Sequence, residues 1–543
     1  MSLLDALLLD PAPFNVWIAY RTDGLKGSGL TPNDPRDGST QARFDEAMGD
    51  AANLFPNQKV AIHLGPGTFT TAGYVEGASN PWQIKAAMKI IGSGREVTII
   101  KRADGTTSGF VLGHDLTAAA DYFEMCDLTV DCNLMNSSGG GAACGAVRVM
   151  GNHVRLARVR ATNWGCSLSG GTCRVFALIT ANPPNVAAVS NCGLEACIAD
   201  APKKLTGNPT NTGTVVMFHA GAPTSAGLQQ EGYARSPYIR NCYGQWDATI
   251  SGTLSCGLSM SWCRGGVVQG NHIHDASYGG PFQQNASALD IIVRNNNYRN
   301  VLRGPFWDLG TVYPASPVNL HTLDRDPGDV KIAVATTNSD PNVAHGYQAG
   351  ERVKITTGAT VPSPYDGIFV IKDVPAQNQF RYVMTSDPMS TATAPRKHQK
   401  VFGVGRVIVE GNTIALATGA TAAIHLHDQK ITEDVPSDVF GDAIVRNNKI
   451  RYVDGVLFEP TYTGDGVRLN GVTNAIVRDN VVEVAPSNPI LLLRCRNVTC
   501  QNNRKPSGEL IEGYDSDIAE HYGELETDND FALVMSLFNR RAR

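Results

Sequence analysis

The stretch AIVRNNKI, residues 443–450, joins branched apolar residues to two asparagines and one more apolar residue. Similar stretches recur with an asparagine at the same point: Asn271 in VVQGNHI, Asn296 in IIVRNNNY, Asn412 in VIVEGNTI, Asn448 in AIVRNNKI, Asn480 in AIVRDNVV and Asn503 in VTCQNN. Earlier stretches place Cys132, Cys192 and Cys242 in what reads as the same slot. Slots 271 and 296 are 25 positions apart and slots 480 and 503 are 23 apart. Such a period is typical of one coil of a solenoid.

The repeat has a physical explanation in stacked β-coils. Valine and isoleucine favour strands, and alternate residues of a strand face one side. An asparagine at the strand end can hydrogen-bond its own turn and the asparagine of the next coil, which predicts an asparagine ladder. The alternative is an ordinary hairpin sheet, which would not hold one period over so long a stretch. The repeat therefore predicts an all-β parallel β-helix.

The composition argues against some classes of partner. The 55 glycines and 29 prolines suit a chain of 543 residues with many turns, and only 18% of residues are charged. With a formal net charge of −5 there is no overall positive field, so we expect no nucleic acid. The sequence has no run of eighteen apolar residues, so we expect no membrane insertion. The first residues, MSLLDALLLDPAP, lack the basic segment of a signal peptide, and we interpret them as mature protein.

The cysteines show no metal-binding pattern. The sequence has 12 cysteines, without a CxxC or Cys/His arrangement of metal-ligand spacing. We interpret them as small buried core residues, with disulfides or a metal as the alternatives. Reduced cysteines fit assembly in a cytosol, and no cofactor is indicated.

Segments near the N-terminus add a resemblance to the repeat. DGSTQARFDEAM, residues 37–48, looks like a helical cap in which Ser39 or Thr40 starts the helix and Phe44, Met48 and Ala51 form one apolar face. VAIHLGPGTF and IIGSGREVTII look like the coils that follow such a cap. Over roughly residues 35–510 the chain resembles the pectate-lyase-like superfamily of β-helices, which includes many phage tailspikes. The resemblance implies a right-handed helix and a homotrimer.

The period also predicts the domain organisation. We expect an N-terminal segment and helical cap at 1–55, the β-helix at 56–322 and 403–510, and a C-terminal cap or interface tail at 511–543. Residues 323–402 break the period. There GERVKIT, YDGIFVIKDV and NQFRYVM alternate as strands, with Phe380, Tyr382 and Met384 on one face, which predicts one inserted small β-domain. It would bind carbohydrate or a partner, or act as a spacer.

Two histidine pairs are candidate acid–base groups. His272 and His274 lie two positions apart, as do His425 and His427, so each pair shares one face of a strand. They would supply a general acid or base, a metal site, or merely polar side chains on an outer sheet. Two ligands at this spacing are weak evidence for a metal, and we predict none.

Acidic residues beside aromatic ones form a second set of candidates. Asp247 follows Trp246, Asp308 follows Trp307, and Asp275 precedes Tyr278. Another group has Phe458, Glu459, Tyr462 and Asp465. An aromatic ring can stack on a sugar while a nearby carboxyl group transfers a proton. We predict catalysis by Asp247, Asp275 and Asp308, and substrate binding by Trp246, His274, Tyr278 and Trp307, with a solvated acid in loop packing as the alternative.

The chain departs from the enzymes of this superfamily. The Asn-Thr-Asp, Asp-Asp, Gly-His-Gly and Arg-Ile-Lys motifs of polygalacturonases do not occur in it, nor does the calcium-binding aspartate cluster of pectate lyases. Their catalytic residues therefore cannot be carried over.

Three hypotheses follow for the function. The first is a tailspike-like protein of a virion tail or extracellular particle, assembled in the cytoplasm, that binds a cell-surface polysaccharide; whether it cleaves as a hydrolase or a lyase is open. The second is a stand-alone bacterial polysaccharide-degrading enzyme. The third is a non-enzymatic structural or adhesive component of a phage tail or contractile injection apparatus.

Overall fold

The computed structural model describes residues 13–511 and 522–527, with gaps in the first range. The gaps are residues 55–58, 76–77, 107–108, 116–118, 137–142, 167–171, 180–188, 204–213, 222–233, 248–253, 262, 285–287, 309–317, 344, 346, 348, 351, 359–362, 393–395, 402–403, 418–419, 421, 428–439, 453–464, 484–487 and 494. The start of the chain, the group Phe458, Glu459 and Tyr462, and the apolar C-terminal tail therefore lie outside the described residues.

Helix α1 spans Gln41–Leu54, a 3-10 turn spans Leu134–Asn136, and the strands are numbered in chain order. Sheet A contains β1 (Phe14–Ala19), β2 (Arg36–Asp37), β3 (Val60–Leu64), β4 (Gly67–Thr71), β5 (Met88–Ile91), β6 (Thr98–Arg102), β8 (Glu124–Asp131), β10 (Arg155–Thr162), β13 (Val189–Ser190), β14 (Gly193–Glu195), β15 (Ile198–Ala199), β17 (Ala234–Arg235), β18 (Tyr238–Arg240), β19 (Tyr243–Gln245), β21 (Cys263–Arg264), β22 (Val267–Gln269), β23 (His272–His274), β25 (Ala288–Leu289), β26 (Ile292–Arg294), β27 (Asn297–Val301), β36 (Val404–Glu410), β37 (Thr413–Leu416), β39 (Phe440–Arg446), β40 (Lys449–Tyr452), β42 (Val472–Arg478), β43 (Val481–Val482), β45 (Arg496–Gln501) and β46 (Tyr522–Thr527).

Two further sheets complete the structure. Sheet B contains β7 (Gly109–Leu112), β9 (Ala143–Val149), β11 (Gly165–Cys166), β12 (Thr172–Ile179), β16 (Thr214–Gly221), β20 (Leu254–Ser261), β24 (Phe282–Gln284), β28 (Phe306–Asp308), β38 (Ala422–His427), β41 (Asp465–Asn470) and β44 (Asn488–Leu493). The insertion sheet contains β29 (Val318–Asn319), β30 (Thr322–Arg325), β31 (Ile332–Thr336), β32 (Arg352–Thr356), β33 (Gly367–Ala376), β34 (Gln379–Val383) and β35 (Lys397–Val401).

Sheets A and B wrap around one continuous apolar core. Each strand pairs with the equivalent strand of the next coil in parallel register, as when Val445 of β39 pairs with Val477 of β42, although β11 is antiparallel to β9. The inward residues of successive coils, such as Val409, Val445 and Val477, are fully buried in that core. The predicted all-β parallel β-helix is therefore confirmed.

A sharp bend between neighbouring strands of sheet A explains the paired polar residues of the repeat. The residue before each ladder asparagine has a positive φ: Gly270 (66), Asn295 (54), Gly411 (63), Asn447 (54), Asp479 (55) and Asn502 (53). Glycine, asparagine and aspartate enter this left-handed region at the lowest cost. The first member of each pair therefore makes the bend, and the second is buried behind it.

The buried asparagines form a continuous hydrogen-bonded ladder. Asn296 Nδ2 donates to Asn412 Oδ1 at 2.9 Å and to the carbonyl of Val268 at 3.1 Å. Its Oδ1 accepts from both the backbone N–H and the Nδ2 of Asn271, each at 2.9 Å. The same pattern continues through Asn448, Asn480 and Asn503. Each side-chain amide inside the ladder thus has partners in both neighbouring coils.

The ladder begins at Cys242, whose backbone N–H donates to Asn271 Oδ1 at 2.9 Å. The prediction that Cys132 and Cys192 share this slot is wrong. The pairing of β14 with β18 and of β15 with β19 brings Cys197 into register with Cys242. Coil lengths vary too much for the slot to be found by counting, because consecutive ladder positions are 29, 25, 36, 32 or 23 residues apart where no domain intervenes.

The predicted helical cap closes the N-terminal end of the β-helix. The Thr40 hydroxyl accepts from the backbone N–H of Arg43 at 3.3 Å and caps α1. Phe44, Met48 and Ala51 are at most 1% exposed and belong to the same core as the coils. Within the described residues, no helix is both long and apolar enough to cross a membrane.

The insertion is an antiparallel β-domain with its own core. β29 pairs with β35, so the domain begins at Val318, slightly before the predicted boundary. Phe380, Tyr382 and Met384 share a buried face of β34 and its continuation. Ile368 packs against the core of the β-helix. The domain leaves the coils after β28 and rejoins them at β36, so it is rooted at the C-terminal ends of the sheet B strands.

We expect replacement of one ladder asparagine to destabilise the whole solenoid. Asn296→Ala leaves the buried donors of Asn271 without their acceptor, and it removes the side-chain donor to the Val268 carbonyl and one of the two donors to Asn412 Oδ1. We expect a cost of about 3 kcal/mol or more of unfolding free energy. Denaturant unfolding measures the change. The matched control is Asn297→Ala on the outer side of the next position, which should shift stability by less than about 0.5 kcal/mol. Equal losses in the two variants would contradict a ladder that sets stability.

The inserted domain should lose stability in mild acid because of His398. Burial lowers the pKa of His398 to about 4, and its Nδ1 pairs with the Tyr347 hydroxyl at 2.8 Å. An unfolded chain protonates this ring near pH 6.5, so stability is complete above that pH and falls between about 6.5 and 4, by at most about 1.4 kcal/mol per pH unit.

The measurement is the thermal midpoint of the full chain against pH. His398→Gln should flatten the fall between pH 6.5 and 4, whereas His321→Gln, at an exposed position of the same domain, should keep the slope of the parent. An unchanged slope in His398→Gln would show that the protonation of His398 does not cause the loss of stability in acid.

Candidate functional site

A bulge in sheet B determines which side chains face outward. Ala423 and Ile424 are consecutive and both buried in the core, so Ala422 and His425 on either side of them face outward. The same shift occurs in β41, where a Cβ on Gly466 would meet Val482 of the core. Asp465 and Arg468 consequently share the outer face although they are three positions apart.

An aromatic patch lies on this outer face, formed by Tyr278, Phe282, Arg303 and Phe306. The rings of Phe282 and Phe306 stack at 5.5 Å with an interplanar angle of 9°. Tyr278 lies 4.4 Å from Phe282 and 5.4 Å from Phe306. The guanidinium of Arg303 lies 4.8 Å from the Phe306 ring centre and 5.3 Å from that of Tyr278. Such contacts hold the cation over the ring faces.

A polar patch follows directly along the helix axis, formed by His425, His427, Asp465, Arg468 and Asn470. Strand β38 pairs with β41 so that His425 opposes Arg468 and His427 opposes Asn470. The two imidazole rings stack at 5.2 Å. Arg468 Nη1 lies 3.7 Å from the Asp465 carboxylate, a long ion pair. Phe306 joins the patches, since its ring meets His425 edge to face at 5.1 Å.

Several buried polar atoms of this patch have no hydrogen-bond partner in the part of the chain that the structure describes. They are both ring nitrogens of His425, Nε of Arg468 and Oδ1 of Asn470. His425 is only 8% exposed. A buried polar group without a partner costs about 1–3 kcal/mol, so several on adjacent strands call for an explanation.

The two histidines are held neutral. Burial lowers the pKa of His425 to about 2, with smaller contributions from His427, Arg468 and Arg303. Burial, Arg468 and Arg303 lower the pKa of His427 to about 4. A neutral imidazole has one N–H donor and one acceptor nitrogen. Both rings can therefore act as hydrogen-bond donor and acceptor at neutral pH.

No group of three or more His, Cys, Asp or Glu side chains suitable for a metal ion occurs among the described residues.

Comparison with known proteins finds solved structures that share little sequence with this chain. No protein-family profile matches the sequence, and no curated protein is similar to it in sequence. A mutant tailspike protein of E. coli bacteriophage HK620 in complex with pentasaccharide is 11% identical with a TM-score of 0.45, over 91% of this chain and 77% of that chain. The polygalacturonase from Erwinia carotovora ssp. carotovora is 8% identical with a TM-score of 0.40, over 93% and 98%. The Streptococcus pneumoniae surface adhesin PfbA is 10% identical with a TM-score of 0.40, over 91% and 89%.

The strand pairing itself shows that the chain folds as a parallel β-helix. At these identities the likeness concerns the fold alone, and within this β-helix the site must be argued from its own residues.

The β-helix places two of the three predicted catalytic acids away from the polar patch. Asp247 and Asp275 precede the strands of sheet B, whereas Asp308 ends β28. Asp275 has a positive φ of 61 at a bend, and its carboxylate accepts from Asn300 Nδ2 at 2.6 Å. These two observations give Asp275 a structural role in the turn. Asp308 instead pairs in register with His427 of β38.

The predicted substrate-binding residues are also divided. Trp246 is 5% exposed and packs in the core, with its ring 5.8 Å from that of Trp164. His274 lies on sheet A beside Tyr243, at 5.4 Å between ring centres, on a different face from His425. Tyr278 is part of the aromatic patch. Trp307 pairs with Leu426 of the core, and for Trp307 and Asp308 the structure describes the backbone alone.

Sequence reasoning did not single out Arg303, Phe282, Arg468 or Asn470. In the sequence, these residues are marked only by being polar or aromatic and by aligning with an outward-facing position of the neighbouring coil. The bulge shifts this alignment by one residue. The spacing of His425 and His427 was visible because both follow the bulge within one strand.

We expect His425→Leu to stabilise the β-helix. Leucine removes two buried unpartnered nitrogens and adds apolar contact, which should raise the unfolding free energy by about 1–2 kcal/mol. His219→Leu is the matched control in the same column of sheet B, because its Nδ1 pairs with the Ser259 hydroxyl at 3.2 Å. That variant should lose stability. Thermal and denaturant midpoints measure both, and a loss in His425→Leu would mean that this ring is satisfied.

Proposed function

We propose that this protein binds an elongated polysaccharide along the outer face of sheet B, in the manner of a tailspike. The observation that carries the proposal is the set of unpartnered buried polar atoms in the polar patch, next to the ring faces of the aromatic patch. Sugars combine apolar faces with a rim of hydroxyl groups. Aromatic rings beside unpaired donors and acceptors match both parts of such a ligand.

The arrangement of the face suits a polymer more than a single sugar. Adjacent strands lie about 4.8 Å apart, so outward residues of successive coils form columns parallel to the helix axis. Phe282, Phe306, His425 and Arg468 follow one another in such a column. A glycan lying along the axis would meet a different side chain at each step.

Cleavage of the bound glycan is a finer proposal. Glycoside hydrolysis uses two carboxyl groups about 5–9.5 Å apart, whereas elimination uses a base such as a neutral histidine. Asp308 and the neutral His427 are adjacent in register and are the pair we propose for proton transfer at the polar patch. Asp247 remains a proposed catalytic acid at the opposite ends of the strands, and Asp275 is proposed with it in addition to its structural contact with Asn300.

The biological setting is proposed as well. A virion tail or extracellular particle assembled as a homotrimer in the cytoplasm fits the free, mostly buried cysteines that the described residues contain. A non-enzymatic adhesive or structural component is the second candidate. The hydrogen bond between Asn300 and the carboxylate of Asp275 favours it, because it assigns that acid to the fold.

The test is a panel of bacterial capsular, lipopolysaccharide, plant and algal glycans, titrated against the purified protein. Binding is followed by calorimetry, and products by new reducing ends and by the ultraviolet absorbance of unsaturated uronates. Binding with products supports a depolymerase, and binding without products supports the adhesive role. If no glycan binds, the proposed function is wrong.

Conversion of the acids to amides separates their roles. With a cleaved glycan in hand, Asp308→Asn should lower kcat by about 100-fold or more while affinity is kept, because a positioned proton donor or acceptor contributes 10²–10⁴-fold. Asp275→Asn should mainly lower the thermal midpoint, since it alters the contact with Asn300. Asp247→Asn completes the series. Full activity in Asp308→Asn would remove Asp308 from the mechanism.

A further inference from the structure

The polar patch has an equal balance of unused donors and acceptors. Neutral His425 offers one N–H and one acceptor nitrogen, Arg468 offers Nε–H, and Asn470 offers Oδ1. The patch therefore requires two acceptors and two donors from whatever fills it. This requirement distinguishes between the chemical groups that sugars carry.

A carboxylate or sulfate supplies acceptors only. Placed here, it would satisfy Arg468 and the N–H of His425, but it would bring lone pairs against Asn470 Oδ1 and against the second nitrogen of His425. A hydroxyl group donates once and accepts, so two neighbouring hydroxyls satisfy all four atoms. The hydrogen-bond inventory favours a diol over an anion.

The charges around the patch agree with that conclusion. Arg468 has Asp465 as its ion-pair partner at 3.7 Å, and Arg303 lies over the rings of Tyr278 and Phe306. The carboxylate of Asp465 and the two ring faces therefore already take up part of the positive charge of the two arginines, which leaves less of it to attract an anionic sugar.

The strand pairing brings the groups together on a small area. His425 opposes Arg468, and His427 opposes Asn470 two positions further along the same two strands. Ala422 opposes Asp465, and it forms a bridge with Arg303 on its other side. The small side chain of Ala422 lies between these two residues at the edge of the patch and is itself buried.

We propose that the polar patch of His425, Arg468 and Asn470 binds adjacent hydroxyl groups of a neutral sugar unit and disfavours uronate or sulfated units at that position. The inference rests on the proposed function, since it assumes that a glycan occupies this face. It makes the patch a specificity-determining subsite within the longer binding surface.

The neutral state of the histidines supports the same ligand. A protonated imidazole would have two donors and no acceptor, which would suit an anion. Burial and the nearby arginines lower the pKa of His425 to about 2 and that of His427 to about 4. The mixed donor and acceptor character therefore persists through the physiological pH range.

Matched glycan pairs test the inference. The probes are galacturonan, mannuronan and glucuronan oligosaccharides and the same oligosaccharides after carboxyl reduction, which turns each uronate into the neutral sugar and leaves the linkages unchanged. They are supplemented by the glycans of the binding panel, with and without removal of sulfate. Calorimetry compares the parent with His425→Leu, Arg468→Gln and the control His219→Leu.

The expected result is tighter binding of the neutral member of a pair, at an affinity that stays constant from pH 8 to about pH 5. Arg468→Gln should weaken it by about 5-fold and His425→Leu by about 10-fold or more, because one and two hydrogen bonds are removed. His219→Leu should retain the affinity of the parent.

Three outcomes would overturn the inference. Tighter binding of the acidic member would assign the patch to an anion, while the proposed function survives. Unchanged affinity in His425→Leu and Arg468→Gln would place the glycan elsewhere on the face. If neither member of any pair and no panel glycan binds, water fills the patch and the proposed function fails with the inference.

Discussion

The register of the coils depends on the bend that carries the asparagine ladder. At each bend a left-handed residue such as Asn447 turns the chain from one strand into the next, and the following residue, Asn448, is buried with all its amide groups engaged. A slip of one position would bury the bend residue and expose the ladder asparagine. The cost would be several unpaired buried amide groups, each about 1–3 kcal/mol. The ladder therefore fixes the alignment of one coil on the next.

That alignment is what allows sheet B to present a site. The side chains of the aromatic and polar patches come from separate coils, and the insertion separates Phe306 from His425 in the sequence. Only a fixed register brings such residues into one column. The bulge then sets which residues face outward, so that Asp465 and Arg468 lie on the same side. Ladder and bulge together position groups that no local motif joins.

This division explains what the sequence could predict. Branched apolar residues, recurrent asparagines and a capped helix were sufficient for the β-helix, because each reflects a local conformational or burial requirement. Asp275 resembled a catalytic acid, although its positive φ and its contact with Asn300 account for an aspartate at that bend. Cys192 was assigned to the wrong slot, and Arg468 and Asn470 were missed. All three errors arise from variable coil lengths and a one-residue bulge, neither of which leaves a mark in the local sequence.

The unpaired groups on sheet B are tolerable because the ladder and the core do not depend on them. Val467 and Leu469, which alternate with Arg468 and Asn470 along β41, are fully buried in the apolar core. Each strand thus has inward-facing residues that stabilise the solenoid and outward-facing residues on which its stability does not depend. Several kcal/mol of unmet hydrogen bonding on the outside is a small fraction of what a continuous core of this length contributes. A β-helix can therefore keep a polar face ready for a ligand and vary it from coil to coil without altering the bends that hold the coils in register.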